Sequence, residues 1–380
     1  MTTALQPGRP TLGGLARDAK VLICCGPGGV GKTTTAAAIA VWAAAHGRRT
    51  CVLTIDPARR LAQALGLDGL DNSPKPVPLA GEAGRSGAGT LDAMMLDPRS
   101  TFDEVVRRNA RSPEQAERIL GNPIYRRLTS VSGTQEYMAM EKLHELHASG
   151  RWDLLVVDTP PTRSALDFLD APDRLYRLLD QRLRTVTAPL RKAKGFLRGL
   201  GIGASPLTGL VGRVTGVDLL REVSDFVAAF DGMYEGFKDR ARRVRDLLHQ
   251  QSTAFVVVAT PDEAALLEGA FFAGRLAGDH LRLGAVVVNR VTTAAALPAV
   301  SAARRKALAA GSDDGKLLAA LLDRHADRAA QAGAEQQRIN TLLAAVPATG
   351  SARVQVPLLA DDLTDLDGLR GLGRHLLEPA

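Results

Sequence analysis

Gly26-Pro27-Gly28-Gly29-Val30-Gly31-Lys32-Thr33 has the form G-x-x-x-x-G-K-T. An apolar run, Val21–Cys25 (VLICC), leads into it, and an Ala-rich stretch, residues 33–45, leads out. The first reads as a buried strand and the second as a helix, so the loop lies where a strand gives way to a helix N-terminus. In that setting the glycines let the backbone curl so that its N–H groups face phosphate oxygens, and the helix N-terminus adds a field favourable to anions. Lys32 would reach the terminal phosphates of a nucleotide, and the Thr33 hydroxyl would ligate Mg²⁺. Gly26, Gly28, Gly29, Val30, Gly31, Lys32, Thr33 and Thr34 are the expected nucleotide-binding residues of this loop.

Working outward, a second apolar run (CVLTI, 51–55) ends at Asp56-Pro57 and passes into a helical pattern (ARRLAQAL, 58–65). Further strand-like runs stand at 91–96, 154–157 (LLVV), 255–259 (FVVVA), 285–288 (AVVV) and 354–356. They are apolar without alternation and separated by helical segments, as a parallel sheet covered on both faces requires. The expected fold is α/β: a P-loop NTPase with a mostly parallel sheet of seven or eight strands. Residues 1–18 read as a loose tail, 19–380 as the ATPase domain, and the Pro- and Gly-rich stretch 71–90 as a surface loop. Residues 165–250 hold a helical insertion, and the Ala- and Arg-rich stretch 297–345 reads as a solvated helical layer.

Two acidic residues end strand-like runs. Asp158 follows LLVV and would stand near Mg²⁺ or its bound water, as a Walker B carboxylate does; its alternative is a helix cap. Asp56 would share the rim of the sheet with the phosphate loop and could orient an attacking water, or cap the helix after Pro57, or both. Lys32, Asp56 and Asp158 are thus the candidate catalytic residues, and Thr33 with Asp158 the candidate Mg²⁺ site.

Hydrophobic residues make up 45% of the chain, enough for a core without metal or disulfide help. Cys24, Cys25 and Cys51, the only cysteines, lie in strand-like runs and read as buried, inert thiols of a reducing compartment. A net charge of +7 spread over 380 residues does not by itself imply nucleic acid. No window approaches the ~20 apolar residues of a bilayer span, so the expectation is a cytoplasmic protein with no integral membrane segment.

The segments GGVGKTTTAAAIA, LTIDPARRLAQAL and VVDTPPTRSALDFL, with ATPDEAALLE, VVVNRV and QVPLLADDL further on, resemble the arsenite-pump (ArsA) ATPases and their relatives that target tail-anchored membrane proteins. The resemblance implies a deviant Walker A loop, ATP and Mg²⁺ as ligands, and a switch role for Asp56 and for residues 158–162 (DTPPT). It implies that Asn289 recognises adenine, with Pro357 and Leu358 lining the base pocket. It also implies a dimeric clamp with ATP at the interface, in which a helical subdomain, here about 165–250, handles a hydrophobic or membrane-protein client.

The chain departs from that pattern at three places. Pro27 stands where the family has a second lysine that reaches the partner's phosphates, there is no zinc C-x-x-C, and the metalloid-binding cysteines are missing. Pro27 points to a heterodimer with a lysine-bearing paralogue rather than a self-activating homodimer. Alternative readings are a non-catalytic nucleotide-binding subunit, or a positioning ATPase of the ParA/MinD type. Basic residues from Arg174 to Arg213, interleaved with leucines, could meet a membrane surface or an apolar client, or form a solvated face.

Overall fold

The computed structural model describes residues 10–56, 60–79, 89–123, 125, 134–160, 234–295, 301–346, 350–360, 363 and 365–378. In chain order the elements are α1 (Leu12–Asp18), β1 (Val21–Cys25), α2 (Lys32–Ala45), β2 (Arg49–Thr54), α3 (Arg60–Ala64), β3 (Lys75–Pro76) and β4 (Thr90–Met95). There follow α4 (Pro98–Asn109), α5 (Pro113–Leu120), α6 (Thr134–Ala148), β5 (Leu154–Asp158), α7 (Tyr234–His249), β6 (Thr253–Ala259) and α8 (Glu263–Gly278). The chain closes with β7 (Leu283–Val291), α9 (Ala302–Ala309), α10 (Asp313–Ala345), β8 (Ala352–Pro357) and α11 (Leu366–Leu377).

The eight strands form one sheet in the order β3-β4-β2-β5-β1-β6-β7-β8. Every pairing is parallel except β3 with β4. β1 lies between β5 and β6, and its side chains alternate between two cores because successive strand residues face opposite sides of a sheet. Leu22 and Cys24 join the core under α1, α2 and α11, while Val21, Ile23 and Cys25 join the one under α6, α7 and α8. Burial on both faces is why these strands read as unbroken apolar runs.

α2 is buried nearly all round, with Ala36 to Ala38, Ile39 and Ala40 fully enclosed. Its alanines let neighbours come close: α11 rests on it with Gly373 against the Ala38 carbonyl and the Trp42 ring. The loop before α2 therefore sits on a helix fixed from several sides, which anchors the loop's backbone.

Two expectations fail locally. Residues 12–18, expected within the loose tail, form α1, whose N-cap Thr11 accepts the Gly14 N–H at 3.0 Å and whose Leu12, Leu15 and Ala16 are buried. The Gly-containing turn LGGLARD hid a one-sided apolar face three and four residues apart. Within 71–90, expected as loop, Lys75–Pro76 adds a short antiparallel strand at the sheet edge, continued by Val77 N–H bonding Leu91 O at 2.8 Å. A proline is tolerated there because an edge strand has one unpaired side.

Of residues 165–250, expected as a helical insertion, the structure describes those from Tyr234 onward, which form α7. Arg240 of α7 pairs with the buried Glu141 of α6 at 2.8 Å and donates to Asn109 of α4 at 2.7 Å. The basic stretch from Arg174 to Arg213 and the last two residues of DTPPT lie outside the described residues. Among the described residues no helix is long and apolar enough to cross a membrane.

Candidate functional site

The C-terminal ends of β1, β2, β5 and β7 meet at one rim of the sheet, the place where ligands bind in open α/β folds. The register sets the neighbours: Asp158 at the end of β5 pairs with Cys24 of β1 on one side and Thr54 of β2 on the other. The phosphate loop leaves β1 directly above it.

Lys32, 7% exposed, turns back over the loop, and its Nζ donates to Pro27 O at 2.7 Å. Burial lowers the pKa of this ammonium, while Asp158, the buried thiols beside it and Asp56 hold it up. The Thr33 hydroxyl donates to Asp158 Oδ2 at 2.7 Å, and the Thr54 hydroxyl donates to the same oxygen at 3.0 Å. Asp158 is fully buried, and its Oδ1 has no hydrogen-bond partner among the described residues. Burial therefore raises its carboxyl to about 6, against the pull of the two threonines and of Lys32.

An orphaned buried carboxylate oxygen is costly, and such a group calls for a partner that the described residues do not supply. The donor set around it is a hydroxyl and a carboxylate, hard oxygen ligands of the kind Mg²⁺ takes through one or two side chains plus phosphate and water. The residues thus fit Mg²⁺, with Thr33 able to bind it directly and Asp158 Oδ1 able to accept from a water on it.

A cleft of about 530 Å³ opens beside the loop, lined among others by Gly29, Lys32, Thr33, Thr34, Asp56 and Thr159 at one end. Asn289, Arg290, Pro357 and Leu358 line the other end. Asn289 sits on the loop itself: its Nδ2 donates to Val30 O at 2.9 Å, and its Oδ1 accepts the Arg290 N–H at 3.0 Å. Gly31 has a φ of 95°, and a side chain there would run into the Asn289 amide. Gly26 packs on the Val258 carbonyl, and Gly28 faces a second cleft on the other side of the loop. Of the residues expected from the sequence, those that are described lie on this loop, beneath it or along the cleft beside it, and Pro161 and Thr162 of DTPPT lie outside the described residues. Asp56 borders the end of the cleft beside Lys32 and Thr33, its N–H donating to Thr54 Oγ1 at 3.2 Å.

Sequence reasoning missed Thr54 and Arg290. Thr54 was legible in principle, since it stands two residues before Asp56 and ends the strand next to Asp158. Arg290 was not, because its left-handed backbone, φ 60°, has no sequence signature in a residue other than glycine.

A family model described as "Anion-transporting ATPase" matches residues 19–309. The chain belongs to this ArsA ATPase family. It is 34% identical over 188 residues to an uncharacterized protein of Streptomyces coelicolor, taking in 48% of this chain and 45% of that protein. It is 26% identical over 296 residues to the ATPase GET3 of Malassezia globosa, 76% of this chain and 78% of that one. It is also 29% identical over 285 residues to the ATPase ARSA2 of Chlamydomonas reinhardtii, 72% and 68% of the two chains. The match thus spans less than half the length of the Streptomyces relative.

Proposed function

We propose that this member of the family binds and hydrolyses Mg-ATP and couples the nucleotide state to a conformational change. The observation that carries the reading is the Thr33 hydroxyl lying 2.7 Å from a buried carboxylate whose other oxygen has no partner among the described residues, directly beneath the phosphate loop. Mg²⁺, when bound, supplies charge neutralisation on the phosphate oxygens. Phosphoryl transfer asks the protein mainly for positioning and electrostatics. Lys32 leaves Pro27 O for the terminal phosphates, the loop N–H groups and the α2 N-terminus hold the others, and Asp56 orients the attacking water. Asn289 offers an amide donor and acceptor to the adenine edge, with Pro357 and Leu358 against the ring.

Pro27 favours a second protomer for full activity. It carries no charge toward the partner's phosphates, so the active assembly pairs this chain with a lysine-bearing paralogue, and residues 165–250 take the client, a hydrophobic or membrane protein. The same residue supports a second reading, a nucleotide-binding subunit that stabilises an active partner without turnover of its own.

Thr33→Val keeps the shape of the side chain and removes the hydroxyl, so ATP affinity in this variant is expected to become insensitive to Mg²⁺ while the wild type tightens with it. Equal Mg²⁺ dependence in the two proteins would overturn the site.

A further inference from the structure

The end of β7 is held in a strained shape between the phosphate loop and one helix. Arg290 adopts a left-handed φ of 60°, a conformation that persists in a non-glycine residue only where its surroundings fix it. It falls where the β7–β8 register shifts, between Val288 and Val291. On one side Asn289 ties the segment to the phosphate loop through Val30 O. On the other, the Thr292 N–H donates to Glu335 Oε2 at 2.7 Å and the Thr292 hydroxyl to Glu335 Oε1 at 2.8 Å. Gln331 Nε2 donates to the same Oε1 at 2.8 Å.

Glu335 belongs to α10, a helix exposed over most of its length, yet this carboxylate is only 6% exposed. Its neighbours along the same face make the same kind of contact. Arg328 donates to Thr293 O at 2.8 Å, and Arg338 to Pro261 O at 3.0 Å in the loop after β6. Positions 328, 331, 335 and 338 recur at helical spacing, so one stripe of α10 grips the exits of β6 and β7 through backbone atoms.

We propose that Glu335 is a positioning residue for the base end of the nucleotide site: it fixes the β7 exit so that Asn289 stays on the phosphate loop and faces the cleft. This rests on the assignment of Asn289 to the nucleobase. Glu335 shares a second cleft with Gly28, Gly29 and Val30 of the loop, but both its oxygens are engaged by Thr292 and Gln331, and Lys32, Thr33 and Asp158 have partners of their own. Its loss would therefore act on binding of the base and leave binding of the phosphates alone.

The test is calorimetric binding of ATP and of inorganic tripolyphosphate, each with Mg²⁺, to the full chain and to Glu335→Ala and Glu335→Gln. Glu335→Ala is expected to weaken ATP about tenfold, the scale of one lost hydrogen-bonded contact, and to change tripolyphosphate less than twofold. Glu335→Gln keeps an acceptor for the Thr292 N–H and is expected to recover most of the ATP affinity. Amide exchange gives a readout without ligand: in Glu335→Ala, protection should fall at 290–293, where the Thr292 N–H loses its acceptor. Equal weakening of both ligands, unchanged binding of both, or exchange confined to α10 would overturn the proposal. A wild-type chain that binds neither ligand would instead overturn the nucleotide site itself, and one that binds tripolyphosphate no more weakly than ATP would remove the base assignment on which the proposal stands.

Discussion

Asp158→Asn should stabilise the nucleotide-free chain at neutral pH while destroying its chemistry. The carboxyl stands at about 6 against an ordinary value of 3.8 because it is fully buried, despite two hydroxyls and Lys32 in its favour. A rise of about two units is worth about 3 kcal/mol between the two protonation states. The sign follows from linkage: a carboxyl whose folded value is raised adds stability that is fully present below the unfolded pKa and is lost as pH rises through about 6. Asparagine does not titrate, so the difference in stability, variant minus wild type, should grow in the variant's favour by up to about 3 kcal/mol between pH 4 and pH 7.5. The amide oxygen can take the Thr33 and Thr54 hydroxyls, and its NH₂ is left where Oδ1 had no partner, so the offset at low pH is small or unfavourable while the slope remains. Urea unfolding in a chelator at both pH values measures it. A difference that does not change with pH would refute the claim that the carboxylate is held ionised at a cost. Adding Mg-ATP should reverse the order, since only the wild type offers the ion a carboxylate.

Gly31→Ala should weaken ATP binding and cost about 1–3 kcal/mol, because its φ of 95° is unfavourable and the new methyl would displace the Asn289 amide; Gly29→Ala, with φ 77° and open space around it, should show only the backbone cost. Equal effects on ATP affinity would show that Asn289 is not engaged. Arg240→Ala should cost about 3 kcal/mol or more in unfolding, since it removes the paired guanidinium from the buried Glu141 carboxylate and leaves it Tyr137 and the more distant Arg108, and a loss below about 1 kcal/mol would mean that α7 is not anchored there. As pH falls below about 6, Mg²⁺-dependent ATP binding should weaken in the wild type as Asp158 takes up its proton, and a flat profile from pH 7.5 to 5 would count against Asp158 in the ion's shell.

Much of this architecture was readable from residue patterns because strands buried on both faces leave an uninterrupted apolar signal. Val21–Cys25 and Thr253–Ala259 are such runs, each bounded by turn residues. β3 was not readable: two residues, one of them proline, carry no periodicity, and only the partner strand makes them a strand. α1 was obscured by its glycines, although its leucines and alanine pack on the sheet. At the site, Lys32, Thr33 and Asp158 announce themselves by position in the loop and at a strand end. Asn289, Pro357 and Leu358 carry no such local signal and came only through the resemblance. Glu335 lies 43 residues from the threonine it holds, in a helix whose pattern reads as a solvated surface, and nothing local marks that carboxylate as buried.

The measurement closest to the central claim is Mg²⁺-dependent ATP turnover by the purified chain, alone and mixed with a lysine-bearing paralogue, with Lys32→Ala in this chain as the control. Turnover that falls by a factor on the order of 10² or more in the variant is the predicted result, as for removal of a charge-stabilising group. Turnover in the mixture that is indifferent to Lys32→Ala, or none in any combination, would contradict it.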